Sequence, residues 1–299
     1  MAEKPRIALK KDIKDKKEWV NIVLDRFLPR KDEYPKEIHK AMRHTLFAGG
    51  KRLRPYLMIR TFLLFSKEVE RISYLAAATE LLHTYSLIQD DLPEIDNDDI
   101  RRGRQACHIV YGNNVALLAS DALLVSAFEV LSHAKLEDAL KIKLIKEFSA
   151  DMGIGGLLAG QMEDIDCEGM AKPDKKKLTY IHNNKTAKLI KLSIRFACYA
   201  AGAPEKEVQK MEKIGAKLGM AFQIVDDILD VEGSAGMMGK TLGKDAIQGK
   251  MTFPAVYGLE KSREMAEKYV QESIKLLSTY GRKADLLIQL SDFILTRKF

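Results

Sequence analysis

The segment ELLHTYSLIQDDLPEIDNDDIRRGR, residues 80–104, contains the pattern around which the rest of the chain is organised. It begins as an apolar helical stretch and ends in a dense group of charges. The carboxylates and arginines of that group are Asp90, Asp91, Glu94, Asp96, Asp98, Asp99, Arg101, Arg102 and Arg104. Carboxylates at this density repel one another unless a cation lies between them, and their hard oxygen atoms suit Mg²⁺ or Ca²⁺. The segment therefore predicts a divalent-cation site at the end of an apolar helix.

A second acidic set lies far downstream in AFQIVDDILDVEG, residues 221–233. Asp226 and Asp230 are four residues apart, so a helix places both carboxylates on one face, about 6 Å apart along its axis. Such a pair is usually part of a solvated surface, but apolar residues flank this one on both sides and predict a buried helix. Buried carboxylates must be paired or coordinated. Because Mg²⁺ is commonly held by one or two carboxylates and substrate phosphates, the two sets predict a site for Mg²⁺ and a phosphorylated ligand.

Basic residues that suit an anionic ligand precede both acidic sets, in GGKRLRP, residues 49–55. The glycines let the backbone turn sharply, and Pro55 begins an apolar helix whose N-terminus is a favourable place for an anion. Farther along, His83, Leu87 and Asp90 share one helix face. A lone histidine on an apolar helix is more often a core residue, but this one is aligned with the acidic cluster. We therefore expect His83 to belong to the site.

The composition limits the classes of ligand. The chain of 299 residues carries 49 basic and 42 acidic side chains, for a net charge of +7, and 46% of its residues are hydrophobic. Its lysines are dispersed along amphipathic segments, and no nucleic-acid-binding motif occurs. We therefore expect a small anionic ligand and no nucleic acid.

The cysteines and the apolar segments bear on the cellular compartment. Cys107, Cys167 and Cys198 show no CxxC spacing, which favours a reduced, cytoplasmic compartment. The first residues lack the apolar core of a signal peptide. The most apolar segment, Val115–Leu131, is interrupted by polar residues, so no stable membrane insertion is expected.

Nearly every segment has the pattern of a helix, and none forms a convincing strand ladder. The predicted helices cover approximately Asp12–Leu28, Pro35–Ala48, a segment from Pro55, Lys67–Leu92, Asn113–His133, Leu136–Ile165, Lys175–Ala201, Pro204–Val231, Met251–Tyr280 and Lys283–Arg297. Gly153, Gly156 and Gly160 form a smooth strip, against which either another helix or an apolar ligand tail could pack. The chain is predicted to be all-α, a single domain over residues 1–299, with one large helical bundle around a central active-site cavity.

A set of motifs in a fixed order carries a resemblance to a known family. They are GGKRLRP (49–55), LLHTYSLIQDDLPEIDNDDIRRG (81–103), GQMED (160–164), KT (185–186), FQIVDDILD (222–230), MGK (238–240) and KMTFP (250–254). With them the chain closely resembles the trans-isoprenyl diphosphate synthases, and most of all the bacterial short-chain farnesyl diphosphate synthases, over nearly its whole length. The resemblance implies a site for two substrates, isopentenyl diphosphate and an allylic diphosphate.

The resemblance also implies roles for individual side chains. The residues that match the isopentenyl diphosphate site are Lys51, Arg54, His83 and Arg102. The residues that match the ligands of Mg²⁺ are Asp90, Asp96, Asp226 and Asp230. The residues that match contacts to the allylic diphosphate are Arg101, Lys185, Thr186, Gln223 and Lys240. Three of these would act as catalytic cations on the departing pyrophosphate, namely Arg101, Lys185 and Lys240.

The implied reaction is a head-to-tail condensation. Departure of pyrophosphate leaves an allylic cation, which the double bond of isopentenyl diphosphate attacks, and the released pyrophosphate takes the proton whose loss restores an alkene. The cation requires a dry site, which the glycine- and lysine-rich loop around Lys240 would provide by closing. The chain departs from the family pattern at Gln89, at Gln105–Ala106, at Met238 and at Phe253, and none of these changes removes a charged ligand.

Product length is assigned to Tyr85 and Ser86. Tyr85 lies five residues before Asp90, about 7.5 Å down the helix axis, where its ring can form a floor for the growing chain. The small side chain of Ser86 leaves room beneath Asp90. Aromatic residues on apolar helices usually pack in the core, but the match to farnesyl-type synthases favours the floor. The expected product is farnesyl diphosphate.

Two alternatives remain beside that expectation. A geranylgeranyl diphosphate synthase would use the same chemistry with a deeper pocket. A non-catalytic partner subunit would have lost carboxylates or arginines from the motifs, which this chain retains. The resemblance further implies a homodimer, formed through apolar helix faces such as Val115–Leu131.

Overall fold

The structure is a computed structural model that describes residues 3–169, 174–232 and 249–296, with side chains from residue 8 onward. Its described residues are almost entirely helical, which confirms the predicted all-α fold class. The α-helices are α1 (Glu3–Phe27), α2 (Lys36–Leu46), α3 (Leu53–Phe65), α4 (Ser73–Asp90), α5 (Cys107–Tyr111), α6 (Asn113–Ser132), α7 (Asp138–Met152), α8 (Leu157–Asp166), α9 (Lys175–Lys185), α10 (Ala187–Ala200), α11 (Glu205–Glu232), α12 (Phe253–Tyr257), α13 (Leu259–Leu277) and α14 (Asp285–Thr296).

Three of the predicted helices are each divided in two. Leu136–Ile165 separates into α7 and α8 around Gly156, where an added Cβ would lie 2.0 Å from the carbonyl oxygen of Asp151. Lys175–Ala201 separates into α9 and α10 at Thr186, and Met251–Tyr280 separates into α12 and α13 at Gly258, whose φ is 79°. The helices on both sides of each break contribute buried apolar residues to the cores, so the apolar periodicity continues across the break. The sequence pattern therefore did not reveal the change in chain direction.

A two-stranded antiparallel hairpin contradicts the expectation that the chain forms no strand ladder. β1 (Ile100–Arg101) pairs with β2 (Arg104–Gln105). The two residues between them, Arg102 and Gly103, both have positive φ, 55° and 73°, as the tight turn of a two-residue hairpin requires. The hairpin is too short for a period-two pattern to predict it. Its effect is to direct the neighbouring Arg101 and Arg102 into different surroundings.

Two hydrophobic cores meet along α3 and α10. The first core is built mainly from α1, α2, α4, α6 and α7, and the second mainly from α11, α13 and α14. Phe62 of α3 and Phe196 of α10 belong to the first core, whereas Tyr56 of α3 and Ile194 of α10 belong to the second. Because α3 and α10 are apolar on both faces, they join the cores. α4 and α11, which carry the two acidic sets, therefore lie on opposite sides of one central space.

Helix α6 is long and apolar enough to cross a membrane, judged by length and composition alone. In the structure it packs against α4 and α2 and contributes buried side chains such as Leu123 and Leu131 to the first core. Its outward face leaves Leu117, Leu118 and Val125 exposed. These observations describe a core helix that also has an apolar outer surface.

Candidate active site

A cavity of about 340 Å³ lies between the C-terminal half of α4 and the middle of α11. Asp90 and Asp96 line it on one side, and Asp226 lines it on the other, so the two acidic sets face a common space as predicted. The remaining lining residues are Arg54, His83, Ser86, Leu87, Asp98, Arg101, Leu157, Gln161, Asp164, Ile181, His182, Lys185, Thr186, Leu189, Phe222, Gln223, Asp227, Lys250, Met251 and Thr252. The cavity thus combines a charged part with an apolar part, as an amphiphilic ligand requires.

The carboxylates of the first acidic set differ in their surroundings. Asp90 ends α4, and its burial raises the pKa of its carboxyl, with the neighbouring charge of Asp96 adding to the effect. Asp96 accepts a hydrogen bond from the ammonium of Lys250 at 2.7 Å, an ion pair between residues 154 positions apart. The loop itself is held to α4, because the Asp96 N–H donates to the carbonyl of Asp90 at 2.9 Å.

The second carboxylate of the aspartate pair, Asp91, is directed away from the cavity. It is 1% exposed, and its Oδ1 accepts a hydrogen bond from Arg101 Nε at 2.8 Å. Arg101 Nη2 also lies 3.3 Å from Asp98. Burial alone would lower the pKa of Arg101, but the charge of Asp91 outweighs it and raises that pKa. Asp91 therefore fixes a permanently charged guanidinium at the cavity wall.

Lys185 and Thr186 reach the cavity because glycines on two other helices allow close approach. A Cβ added to Gly160 of α8 would lie 2.6 Å from the backbone nitrogen of Lys185. A Cβ added to Gly219 of α11 would lie 2.6 Å from Cα of Ala187.

Of the three glycines predicted to form a smooth strip, only Gly160 packs against another helix, at the junction of α9 and α10. Gly153 and Gly156 lie between α7 and α8, close to the carbonyls of Ser149 and Asp151, so the continuous strip predicted from the sequence is not formed.

The ammonium of Lys185 donates to Asp164 at 2.8 Å. Burial alone would lower the pKa of Lys185, but the charges of Asp90, Asp164 and Asp96 outweigh it and raise that pKa. The Thr186 hydroxyl donates to Gln223 Oε1 at 2.5 Å, and Gln223 Nε2 donates to Asp227 at 2.8 Å. Both ends of the Gln223 amide are therefore engaged, which fixes its orientation.

Four further residues contribute to this region although they were assigned no site role from the sequence: Lys250, Asp164, Asp227 and His182. Asp227 accepts a hydrogen bond from the backbone N–H of Phe253 at 2.9 Å and lies 3.6 Å from His182 Nε2. Burial lowers the pKa of His182 to about 4. Asp164 lies in the motif GQMED, and Lys250 lies in the motif KMTFP. The side chains with which they pair lie on other elements, so the pairing could not be read from the motifs.

The basic side of the cavity contains Arg54 and His83. Arg54 Nη1 lies 3.1 Å from His83 Nε2. Burial lowers the pKa of Arg54 to about 10, although the charge of Glu80 opposes the shift. Burial and the charges of Arg54, Arg102 and Arg52 hold the pKa of His83 well below its usual value, so the imidazole is neutral. The structure therefore brings together the predicted histidine and arginine as a contacting pair in the cavity lining.

Three predicted site residues, Arg102, Lys51 and Asp230, are absent from the lining of the cavity, and a fourth, Lys240, lies outside the described residues. Arg102 lies close behind Arg54, and the ammonium of Lys51 lies 5.6 Å from the ring centre of Phe293 on α14. Asp230 is buried one turn beyond Asp226. Lys240 and the glycine- and lysine-rich loop fall outside the residues that the structure describes. Their assigned roles remain predictions.

The two residues assigned to product length have different positions. Ser86 lines the cavity, as expected. Tyr85 is 5% exposed, packs in the first core and is absent from the lining of the cavity. This position is compatible both with a floor and with ordinary core packing.

The chain is similar in sequence and in fold to proteins of a known family. The polyprenyl synthetase family model matches residues 35–286. Geranylgeranyl pyrophosphate synthase 4 of Arabidopsis thaliana is 41% identical over 285 residues, which cover 94% of this chain and 76% of that protein. An FPP/GFPP synthase from Zymomonas mobilis, solved in its apo form, has a TM-score of 0.88 at 31% identity and covers 97% of this chain and 99% of its own.

A second solved structure is similar in both fold and sequence. It is a geranyltransferase from Helicobacter pylori complexed with magnesium and isoprenyl diphosphate, with a TM-score of 0.84, 32% identity and 95% coverage of each chain. The family model spans both acidic sets and the GGKRLRP segment, residues 49–55. Each of these segments contributes residues to the lining of the cavity. The resemblance to the trans-isoprenyl diphosphate synthases is therefore confirmed, and this chain belongs to the polyprenyl synthetase family of prenyltransferases.

Proposed function

We propose that this prenyltransferase condenses isopentenyl diphosphate with dimethylallyl or geranyl diphosphate, head to tail, to give farnesyl diphosphate and pyrophosphate. The observation that carries the proposal is a single cavity that has carboxylates from α4 and α11 facing each other, the Arg54–His83 pair beside them, and apolar side chains beyond. One anionic substrate fits the basic pair, and the other fits the acidic and lysine-rich part. The Helicobacter pylori geranyltransferase, complexed with magnesium and isoprenyl diphosphate, supports this assignment.

The residues present fit Mg²⁺. Asp90, Asp96 and Asp226 offer hard oxygen ligands to the cavity. Among the described residues, no three acidic, histidine or cysteine side chains are gathered closely enough to hold an ion by themselves. Mg²⁺ prefers such an incomplete protein site, because it retains water and takes oxygens from substrate phosphates. When bound, the ion supplies charge neutralisation to the diphosphate that leaves. We also assign Asp230 to this set, as the family resemblance implies.

The chain's own cations act on the same leaving group. Arg101 and Lys185 both line the cavity, and the neighbouring carboxylates keep both charged. They stabilise the negative charge that develops on pyrophosphate as its bond to the allylic carbon breaks. The oxygens of Thr186 and Gln223 carry partial negative charge and suit the allylic carbon as it becomes positive. We assign Lys240 a further contact to the leaving group.

The second substrate supplies the electrons for the new bond. Arg54 and neutral His83, with Arg102 and Lys51, hold the diphosphate of isopentenyl diphosphate so that its double bond is directed at the allylic cation. The π electrons form the carbon–carbon bond, and loss of a proton from the adjacent carbon restores the alkene. The released pyrophosphate takes that proton. We infer that exclusion of water by the apolar lining protects the cation until the bond has formed.

The comparisons and the structure support different product lengths. The Arabidopsis relative is a geranylgeranyl pyrophosphate synthase, which supports a C20 product. Tyr85 is buried next in sequence to Ser86, which lines the cavity, and this supports a C15 product, because a bulky ring there would limit the depth available to the chain. We favour C15 and keep C20 as the alternative.

Sizing the products of the purified protein tests the proposal. With Mg²⁺, isopentenyl diphosphate and dimethylallyl diphosphate, we expect a C15 diphosphate by mass spectrometry, and C20 or longer products from Tyr85→Ala. The matched control is Tyr74→Ala on the same helix, far from Asp90, where the ring packs against Phe27. A C20 product from the unaltered protein would favour the geranylgeranyl alternative. Absence of any condensation product would overturn the function itself.

The assembly and the compartment complete the proposal. We infer one polyprenyl synthase domain that forms a homodimer through the outer face of α6, where Leu117, Leu118 and Val125 are exposed. The three buried cysteines form no disulfide, which supports a reduced, cytoplasmic compartment. A non-catalytic partner subunit is disfavoured because the cavity retains its carboxylates, arginines and Lys185. Light scattering of the pure protein tests the homodimer.

A further inference from the structure

Glu80 is a buried carboxylate that the mechanism above does not use. It lies on α4 one turn before His83, is 1% exposed, and is absent from the described lining of the cavity. Two arginines from different segments converge on the same oxygen, Oε1. Arg52 Nη1 donates to it at 2.6 Å, and Arg102 Nη2 donates to it at 3.4 Å. One carboxylate oxygen therefore joins the GGKRLRP segment to the hairpin turn.

Both arginines have backbone conformations that L-residues adopt only under constraint. The φ of Arg52 is 51° and that of Arg102 is 55°, both in the left-handed region. Such conformations cost energy and persist only where the surrounding structure determines them. They cluster at functional sites, and here the two lie at the ends of one ion-pair network.

Arg52 and Arg102 are also held by hydrogen bonds to groups other than Glu80. The Arg52 guanidinium also donates to the Leu46 carbonyl and, at 3.0 Å, to Asn21 Oδ1. Arg102 Nη1 donates to the carbonyl of Thr45 at 3.1 Å. An added Cβ at Gly50 would lie 2.9 Å from Cζ of Arg102, so glycine at that position leaves the space that the guanidinium occupies. Neither arginine can move freely while Glu80 is in place.

The charges of this group do not cancel. Arg52, Arg54 and Arg102 surround the single carboxylate of Glu80, and His83 contributes no charge because its pKa is held low by burial and by these arginines. Glu80 is positioned to neutralise Arg52, which is itself 3% exposed and is absent from the lining of the cavity. The positive charge of the three arginines therefore exceeds the single negative charge of Glu80, and Arg54 is the member of the group that lines the cavity.

We propose that Glu80 is a positioning residue for the isopentenyl diphosphate site, which it serves by sharing one oxygen between Arg52 and Arg102 and so holding Arg102 beside Arg54. This inference rests on the proposed function, because it names what orders one of the two substrate sites. It assigns Glu80 no contact with substrate. Its consequence is that removal of a negative charge weakens the binding of an anion.

That consequence separates positioning from simple electrostatics. Glu80→Gln keeps the shape of the side chain and makes the site more positive by one charge. If charge alone governed binding, the variant would bind isopentenyl diphosphate more tightly. If Glu80 positions Arg102, the amide cannot hold two guanidiniums, and we expect the KM for isopentenyl diphosphate to rise about tenfold, the loss of roughly one charge-assisted hydrogen bond. We expect the KM for the allylic diphosphate to change less than twofold.

The experiment measures both KM values, the melting temperature, and direct binding of isopentenyl diphosphate by calorimetry. Glu272→Gln is the matched control, since Glu272 forms an ion pair with Lys217 on the far side of the second core and should alter neither KM. Glu80→Asp retains the charge on a side chain that is one methylene group shorter. It should give a smaller rise in the KM for isopentenyl diphosphate. It also carries the test if Glu80→Gln does not fold.

Two results would overturn the proposal. One is unchanged or tighter binding of isopentenyl diphosphate by Glu80→Gln. The other is an equal rise in both KM values together with a lower melting temperature, which would describe a merely structural residue. Failure of the unaltered protein to bind or turn over isopentenyl diphosphate would count against the proposed function instead, so the two failures are distinguishable.

Discussion

The two walls of the cavity differ in their balance of positive and negative side chains. The basic wall is formed by Arg54 and His83, with the charge of Arg102 close to both but outside the lining. It has more cations than carboxylates, and its histidine is neutral. The acidic wall contains lysines that are each paired with a carboxylate, Lys185 with Asp164 at 2.8 Å and Lys250 with Asp96 at 2.7 Å. A diphosphate can bind at the basic wall without breaking an ion pair. At the acidic wall it must arrive with cations of its own or draw the lysines away from their partners.

The walls also differ in how firmly they are held. The pair behind the basic wall, Arg52 and Glu80, has side chains that are each 1% exposed. The Lys250–Asp96 pair of the acidic wall has side chains that are 11% and 13% exposed. An ion pair that is cut off from water is costly to break, whereas one that borders a cavity can exchange partners. Under the proposed function, the basic wall is therefore a preorganised site for one substrate and the acidic wall is an adjustable site for the other.

Removal of a carboxylate from the acidic wall should have the largest effect. We expect Asp90→Ala or Asp226→Ala to lower kcat about a thousandfold, because each removes a ligand for the ion that neutralises the leaving group. The fold should be retained, since burial raises the pKa of Asp90 and its ionised form is unfavourable without a cation. Product formation at saturating Mg²⁺ and circular dichroism measure the two effects.

Asp292→Ala, at an exposed position on α14, is the control for that experiment and should leave turnover unchanged. Near-normal turnover by Asp90→Ala would show that the acidic wall does not hold the metal. The contrast between the two walls would then lack its chemical basis.

The difference in rigidity predicts unequal losses of stability. Arg52→Met leaves Glu80 without its principal partner in a buried position, and we expect the free energy of unfolding to fall by about 3–5 kcal/mol. Lys250→Met leaves Asp96 at the edge of the cavity, where water reaches it, and we expect a loss of about 1–2 kcal/mol. Urea denaturation measures both. Equal losses would mean that the two walls are held with the same firmness.

Acidification should destabilise both walls through their buried histidines. The pKa of His182 is lowered from 6.5 to about 4 by burial, and that of His83 is lowered in the same direction. Between these pH values the unfolded chain binds more protons than the folded protein, so stability is full above pH 6.5 and is lost as the pH falls through this window. At pH 5 protonation of the unfolded chain at His182 should cost about 2 kcal/mol of stability, and His83 should add a loss of the same sign.

Urea denaturation at pH 7 and at pH 5 checks this prediction. His182→Gln and His83→Gln should each reduce the difference between the two pH values, and His133→Gln, at an exposed position, should not. A pH dependence that persists unchanged in both buried variants would assign the effect to other groups.

The smallest expected effect concerns a single hydrogen bond of the acidic wall. Thr186→Val removes the hydroxyl that donates to Gln223 Oε1 at 2.5 Å and frees one end of that amide. We expect kcat to fall about fivefold, which corresponds to about 1 kcal/mol, with little change in the KM for isopentenyl diphosphate. Thr179→Val, whose hydroxyl bonds to the Lys175 carbonyl on exposed α9, is the matched control. A rise in the KM for isopentenyl diphosphate would contradict the separation of the walls.

The resemblance of the motifs to a known family implied that Lys185, Thr186 and Gln223 belong to the site. The sequence by itself determined the all-α fold, a cation site shared by the two acidic sets, and the position of His83 on the same helix face as Asp90. These features follow from local rules. Helical periodicity places side chains three or four residues apart on one face, and the density of carboxylates at Asp90 indicates a cation. Such rules act within a single element, so they can be read from the order of residues.

Only the tertiary structure decided which charges serve the ligands and which serve the fold. In the pair Asp90–Asp91 one carboxylate faces the cavity and the other anchors Arg101. In GGKRLRP, Arg54 reaches His83, whereas Arg52 is withdrawn to Glu80. Neighbouring residues of the same type are equivalent in a local pattern, and what distinguishes them is a partner many positions away. The strength of an ion pair depends on burial and on that partner, and both exist only after the helices have packed.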